Sequence, residues 1–406
     1  MQTYDPEQAL WNTRREFGEH GGVTPSISRS ATFTVLDPKT MPAIFEGLRG
    51  PDKGGCFLYS RHFNPTVDVL ARYLASLENT EAAVCTASGM AAISCTLLQI
   101  CKSGDHIVAS NTVYGGTHAL LSELLPQMNI HTTFVDPTET EAFEAAITPE
   151  TRVLYTEVFG NPTLKIADIP RLAELARDRN LTLVVDNTFA PAVVTPAQLG
   201  ADVVVYSLTK FINGASDIIG GAICCDKDFV HRLMDLHTGR VMLLGPTMDP
   251  RVAYDLIQRL PHLAIRMREH SRRAMAIASH LEQLGVRVRY PGLTTHPQHE
   301  LITSLVNEGY GYGGMLTIDC KRKETAENLM DFLQNTERFG LIAVSLGYWD
   351  SLMSCSSSST SSEIPPEKQD QMGLSRGLLR ISIGYTGSLA SRIRQIERAV
   401  RKVGLI

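Results

Sequence analysis

The sequence predicts an α/β fold: a large domain built on a mostly parallel sheet, followed by a smaller C-terminal α+β domain. Three observations predict it. Between residues 181 and 221 lie two valine-rich runs of strand length, 181–185 and 203–208, each ending in polar residues, with a helix-compatible connection between them. Runs that are apolar throughout are what parallel strands covered on both faces require. From residue 82 to residue 225 such runs alternate with segments of helical period, which is the βα order of a doubly wound sheet. Past Arg251 the pattern changes to a long helical stretch, 252–284, with arginines on its polar side. This stretch reads as a linker helix, and it divides the chain into an N-terminal arm (1–60), an α/β domain (61–255) and a C-terminal α+β domain (256–406).

The two central strands carry the chemistry. Ligands of open α/β sheets bind beyond the carboxyl ends of the strands. Here those ends present Asp186 after the first run and Ser207, Thr209 and Lys210 after the second. A lysine able to form a Schiff base, an acid able to hold a pyridine nitrogen protonated, and hydroxyl donors for a phosphate are the groups that pyridoxal phosphate needs. Taken singly, Lys210 also reads as a solvated lysine at a strand end and Asp186 as a turn or cap residue. Their separation by about one βαβ unit, and the grouping Ser-x-Thr-Lys, favour the cofactor.

In chain order, residues 6–17 read as a short helix in an otherwise sparsely patterned arm, which needs a surface to lie on; a second subunit would supply one. Asn64-Pro65-Thr66 is a helix-start signal, and 67–77 is apolar at helical spacing. A strand at 82–86 leads into Ser88-Gly89-Met90, which opens an apolar helix. Such a junction is either a phosphate cradle of free N–H groups or a plain βα turn capped by Ser88. Further strands fall at 106–109, 130–135, 153–157 and 222–225, with helices at 116–128 and 169–178. Tyr114 and Asn161 sit on loops at strand ends. In the tail, 309–314 matches G-x-G-x-x-G, yet a strand at 315–319 follows it where a dinucleotide fingerprint would open a helix, so the match is spurious. Residues 354–362 are a serine-rich run, read as a flexible loop. Arg380 interrupts an apolar strand. It either snorkels from a sheet edge or grips a buried anion such as a substrate carboxylate in a bidentate fork.

Composition excludes other classes. The 406 residues are 43% hydrophobic and 20% charged, with a net charge of −5 and no block of one sign, so neither nucleic acid nor an anionic membrane is an expected partner. No run approaches the roughly 20 apolar residues of a membrane span. Eight cysteines without paired C-x-x-C arrays read as reduced thiols of a cytoplasmic protein, and no metal site is expected.

The motifs YSRHFNPT, SGMAA, YGGTH, VVDNTFA, SLTKFING, LGP, SLG and GLLRISIG occur in this order. Together they resemble the pyridoxal-phosphate enzymes of methionine and cysteine metabolism, the trans-sulfuration family, from about residue 16 to the end. Blocks such as EFGEHGGV and YPGLTTHPQHE lie nearest its plant-type methionine γ-lyases. The resemblance implies the aspartate-aminotransferase fold (fold type I) and a cytoplasmic homotetramer, a dimer of dimers with shared sites. It implies that Lys210 carries the cofactor, Asp186 pairs with the pyridine nitrogen, Tyr114 stacks on the ring and Asn161 meets the ring hydroxyl. Ser88, Gly89, Met90, Ser207 and Thr209 would hold the phosphate, with Tyr59 and Arg61 reaching it from a neighbouring subunit. Arg380 and Ser345 would bind the α-carboxylate of a sulfur amino acid. Lys210 and Tyr114 would be catalytic.

The reaction implied is γ-elimination of L-methionine to methanethiol, 2-oxobutanoate and ammonia. The alternatives are γ-replacement, as in cystathionine γ-synthase or O-acetylhomoserine sulfhydrylase, and cystathionine γ-lyase activity. A non-catalytic scaffold is disfavoured, because Lys210, Asp186, Tyr114 and Arg380 are all present. The sequence departs from the family pattern at Gly116, Ala215, Asp350 and Cys355, positions expected around the substrate side.

Overall fold

The computed structural model describes residues 4–14, 17–45, 48–49, 57–355 and 375–406. The serine-rich run beyond Cys355 lies outside them. Seven strands form the large sheet: β1 (Ala82–Thr86), β2 (His106–Ser110), β3 (His131–Val135), β4 (Thr151–Glu157), β5 (Thr182–Asp186), β6 (Val203–Ser207) and β7 (Gly221–Cys225). Their order is β1-β7-β6-β5-β4-β2-β3. β7 runs antiparallel to both of its neighbours and every other pairing is parallel. The carboxyl ends of β1 to β6 and the amino end of β7 therefore share one edge.

Side-chain alternation explains why these strands read as unbroken apolar runs. Leu154, Leu183, Val185, Val204, Tyr206 and Cys224 pack into one core, while Val153, Tyr155, Val184, Val203, Val205 and Ile223 pack into the core on the opposite face. Each side is covered by helices whose starts the sequence marks. The helix Pro65–Glu78 is capped by Asn64, whose side chain accepts from the Thr66 and Val67 N–H groups, and the helix Gly89–Ile100 is capped by Ser88, which accepts from Ala91. Caps of this kind contribute about 1 kcal/mol each.

The second sheet comprises β8 (Val288–Arg289), β9 (Met315–Asp319), β10 (Gly340–Ile342), β11 (Ser351–Cys355) and β12 (Leu378–Ser382), in the order β10-β11-β12-β9-β8. One face carries Leu316, Ile318, Met353, Leu379 and Ile381 into a third core. The helix Leu263–Gln283 joins the two halves. Its Leu263, Ala264 and Met267 belong to a core of the large sheet, and its Ala274, Ile277, Ala278 and Leu281 belong to that of the small one.

Four expectations need correction. The connection between β5 and β6 is not a helix but a series of turns with one 3-10 turn, Pro196–Leu199; Pro191 and Pro196 remove the N–H donors a helix would use. The stretch 252–284 is two helices, Pro250–Arg259 and Leu263–Gln283, separated by a 3-10 turn at Leu260–His262. Pro261, which lacks the N–H, forces the break. The first helix ends at Thr13 rather than 17. The segment 116–128 begins as an α-helix (Gly115–Ala119), widens to a π turn (Leu120–Leu124) and tightens to a 3-10 turn (Leu125–Met128) around Pro126. The turn 309–314 does lead into a strand, β9.

Glu78, at the end of its helix, is buried under the large sheet. It accepts from the Ala197 N–H at 3.0 Å and from the Tyr206 hydroxyl, which also receives the Asn187 amide at 2.8 Å. Burial pushes its carboxyl from 4.5 up to about 8. A folded-state pKa raised in this way gives stability that is complete below the unfolded value and is lost as pH rises through about 8. The melting temperature of the wild-type chain should therefore fall more between about pH 6 and about pH 9 than that of Glu78→Gln. Calorimetry at both pH values checks this, and parallel falls in the two chains would show that Glu78 does not titrate there.

Candidate active site

Period-two alternation places Glu157, Asp186 and Ser207, the last residues of three adjacent strands, on one face of the sheet. Glu157 and Asp186 are register partners. They face the start of the helix Gly89–Ile100, which comes close because residue 89 has no side chain: a Cβ there would lie 2.7 Å from that of Ser207. The N–H groups of Gly89 and Met90 precede the first intrahelical bond, from Ala92 to Ser88. The junction is thus both of the things the sequence left open, a capped βα turn and an edge of free donors.

These elements enclose a cavity of about 210 Å³. Ten expected residues line it: Ser88, Gly89, Met90, Tyr114, Asn161, Asp186, Ser207, Thr209, Lys210 and Arg380. Ser345 lies beside it between the lining residues Val344 and Leu346, and its hydroxyl accepts from Lys210 Nζ at 3.0 Å. Tyr59 and Arg61 do not line the cavity of their own chain. Arg61 donates to the Met242 carbonyl at 2.9 Å, and its guanidinium lies 5.6 Å from the centre of the half-exposed Tyr59 ring.

Arg380 is not an edge residue. β12 is the central strand of its sheet, and Arg380 alternates with the core residues Leu379 and Ile381, so it projects toward the large domain. It is 2% exposed; Nη1 donates to Asn161 Oδ1 at 2.9 Å, while Nη2 has no partner among the described residues. A buried guanidinium nitrogen without an acceptor is costly. A carboxylate is the ligand whose charge and geometry would satisfy it.

Burial and like charge set the titrations. Burial first, then the Arg380 charge, lowers the Lys210 ammonium to about 8. Burial raises Asp186 to about 6, against hydrogen bonds from Thr188 that favour its anion. Glu157, missed as a site residue at the sequence level, is raised well above the ordinary range by burial and then by Asp186. Asp186, displaced less than Glu157, is the member of the pair that keeps the charge. Thr188 was also missed: its N–H donates to Asp186 and its hydroxyl accepts from the Ser207 N–H. The strand pairing that brings Glu157 against Asp186 has no local sequence signal.

Only one of the four family departures adjoins the cavity. A Cβ at Gly116 would lie 2.6 Å from Cε1 of the Tyr114 ring. Asp350 instead pairs with Arg392 at 3.1 Å and accepts from the Thr386 hydroxyl at 3.0 Å. Cys355 is buried in the core of the small domain, and Ala215 does not line the cavity. The seven described cysteines are buried. Among the described residues there is no cluster of metal ligands and no helix long and apolar enough to cross a membrane.

The residues present fit pyridoxal phosphate. The glycine cradle, the free N–H groups and the hydroxyls of Ser207 and Thr209 suit a phosphate; Asp186 suits a protonated ring nitrogen; and Lys210 suits an aldehyde. Together, fold and donor set define a pyridoxal-phosphate enzyme of the fold type I class. A Campylobacter jejuni structure, described as a putative O-acetylhomoserine (thiol)-lyase with N'-pyridoxyl-lysine-5'-monophosphate, superposes with a TM-score of 0.90 at 26% identity, over 98% of this chain and 100% of that one. A Lactobacillus plantarum cystathionine γ-lyase superposes with a TM-score of 0.87 at 28% identity, over 99% and 100%. Residues 8–388 match the family described as Cys/Met metabolism PLP-dependent enzyme, and the chain belongs to that family. It is 55% identical to a methionine γ-lyase of Arabidopsis thaliana over 97% of this chain and 90% of the relative. It is 37% identical to an L-methionine γ-lyase of Pseudomonas putida over 90% of each chain.

Only the neutral Lys210 amine can attack an aldehyde, so the rate at which the apo chain captures pyridoxal phosphate should rise with pH through about 8 and level off above it. Arg380→Ala removes a neighbouring positive charge and should move that midpoint upward. Stopped-flow capture across a pH series checks both, and a midpoint that does not move would show that Arg380 does not tune Lys210.

Proposed function

We propose that this chain is a methionine γ-lyase, which converts L-methionine to methanethiol, 2-oxobutanoate and ammonia. The observation that carries the choice within the family is its identity, above one half over nearly the whole chain, with the Arabidopsis methionine γ-lyase. The cavity supports it. Its four charged or chargeable groups other than Tyr114 are each engaged: Lys210 with Ser345, Arg380 with Asn161, Asp186 with Thr188 and Glu157 with the Tyr114 N–H. Met90, Ile93, Phe189, Ile219, Val344 and Leu346 supply an apolar wall. A substrate whose γ-substituent is an uncharged thioether matches that wall.

When bound, pyridoxal phosphate supplies an electron sink for negative charge developing at the substrate Cα. Asp186 would hold the ring nitrogen protonated through its carboxylate. Gly89, Met90, Ser207 and Thr209 would bind the phosphate, with the Ser88 cap fixing the helix start. The Arg380 Nη2, with Ser345, would orient the substrate carboxylate. Lys210 Nζ would be the base that takes the Cα proton. Tyr114, half-exposed at the cavity mouth, is the acid that delivers a proton to the departing thiolate sulfur.

We also infer a cytoplasmic homotetramer of two dimers with shared sites. Tyr59 and Arg61 stay off their own cavity, leaving them to reach a neighbour's phosphate. The arm exposes Phe17, Val23 and Leu36, at 67%, 85% and 97%, where a second subunit would cover them. The buried, free thiols of Cys85, Cys95, Cys101, Cys224, Cys225 and Cys320 fit a reducing compartment.

Incubation of the cofactor-loaded protein with L-methionine alone should release methanethiol and 2-oxobutanoate in equal amounts. Release of neither, with O-acetylhomoserine and sulfide consumed instead, would replace the lyase reading with γ-replacement. Lys210→Ala should abolish turnover. Arg380→Ala should chiefly raise KM, by about 10- to 150-fold, the equivalent of about 1.5–3 kcal/mol for a charge-assisted contact; an unchanged KM would remove the carboxylate role.

A further inference from the structure

We propose that Glu157 is a positioning residue of this site: its carboxyl holds the Tyr114 backbone, and through it the tyrosine, in place at the cavity mouth. Tyr114 lies on the loop that follows β2, and Glu157 ends β4, the neighbouring strand. The Tyr114 N–H donates to Glu157 Oε1 at 2.6 Å, and Glu157 is only 6% exposed. No side-chain cap ties Tyr114 to the helix Gly115–Ala119 that starts beside it, and the residue is 44% exposed. The hydrogen bond to Glu157 is therefore a buried anchor for an otherwise open residue.

The surroundings show what the anchor needs. Asp186 faces Glu157 across the register, Arg380 and Tyr155 lie on the same side, and the Asn161 backbone also favours its anion. Asn161 in turn receives Arg380. One side chain thus sits between the segment bearing the proposed acid and the segment that steadies the proposed carboxylate grip. Beside the charged Asp186 it acts as an acceptor at Oε1 and needs no charge of its own. Glutamine has the same length and keeps that acceptor; alanine removes it.

The proposal rests on the reading of Tyr114 as the acid for its effect on turnover, but not for the bond itself. Amide hydrogen exchange of the full chain, with and without pyridoxal phosphate, reads the bond directly. In the wild type the Tyr114 amide should be protected despite its exposed loop. Glu157→Ala should speed its exchange by about tenfold and lower kcat by about 10- to 100-fold with KM within about threefold, whereas Glu157→Gln should leave all three near wild type. A Tyr114 amide that exchanges freely in the wild type overturns the proposal even where Glu157→Ala fails to fold. So does a Glu157→Gln chain as damaged as Glu157→Ala, since charge rather than an acceptor would then be required. Tyr114→Phe with full kcat would remove the acid role alone and leave the exchange result to decide the anchor.

Discussion

The site exists only because one helix holds two sheets at a fixed distance. Near the amino end of Leu263–Gln283, the buried Arg266 donates from Nη1 to the Phe211 carbonyl at 2.5 Å and from Nη2 to the Ile212 carbonyl at 2.8 Å. One turn later, His270 Nδ1 bonds the Ile383 carbonyl at 2.5 Å, and its ring packs edge-on against Phe211 and Tyr385. The first contact fixes the turn that follows Lys210, and the second fixes the end of the strand that carries Arg380. Burial lowers the Arg266 guanidinium to about 10, so the charge is held there against its desolvation by carbonyls that would otherwise lack partners.

With that frame in place, the cavity gathers charge that water would ordinarily disperse. Lys210, Arg380, Asp186 and Glu157 converge in a low-dielectric space, and each is displaced from its usual titration range in the direction that disfavours its charge. Such an arrangement weakens the empty fold and favours ligands of complementary charge. A protonated ring nitrogen beside Asp186 and a carboxylate beside Arg380 would each reverse one of these displacements. The same destabilising environment that makes Lys210 a usable amine near neutrality therefore also drives binding.

The apolar contribution is separate. The wall from Met90 to Leu346 has no charge to offer a substrate's far end, so it discriminates by exclusion. Gly116 sets how near the Tyr114 ring can come to that wall, because a side chain there would displace the ring. Position and chemistry of Tyr114 are thus governed from two sides, by the missing Cβ beneath its ring and by the carboxyl behind its backbone.

Much of this was legible in the chain itself. Apolar runs covered on both faces located β1, β2 and β4 to β7 within a residue or two, Asn64 and Ser88 announced their helices, and Lys210 with Asp186 named the cofactor chemistry. These are short-range signals: periodicity tells which face a side chain takes, and caps and prolines tell where a helix starts or breaks. At Pro196, Pro261 and Pro126 the missing N–H breaks or tightens helices that periodicity alone predicts to be longer. Tertiary structure alone decided which segments meet. Arg380 finds Asn161 across 219 positions and Lys210 finds Ser345 across 135. Glu157 became part of the site because β4 pairs with β5 in a register that sets it against Asp186. Strand neighbours and register are chosen by the burial of whole faces against distant segments, a global energy to which no local stretch of sequence has access.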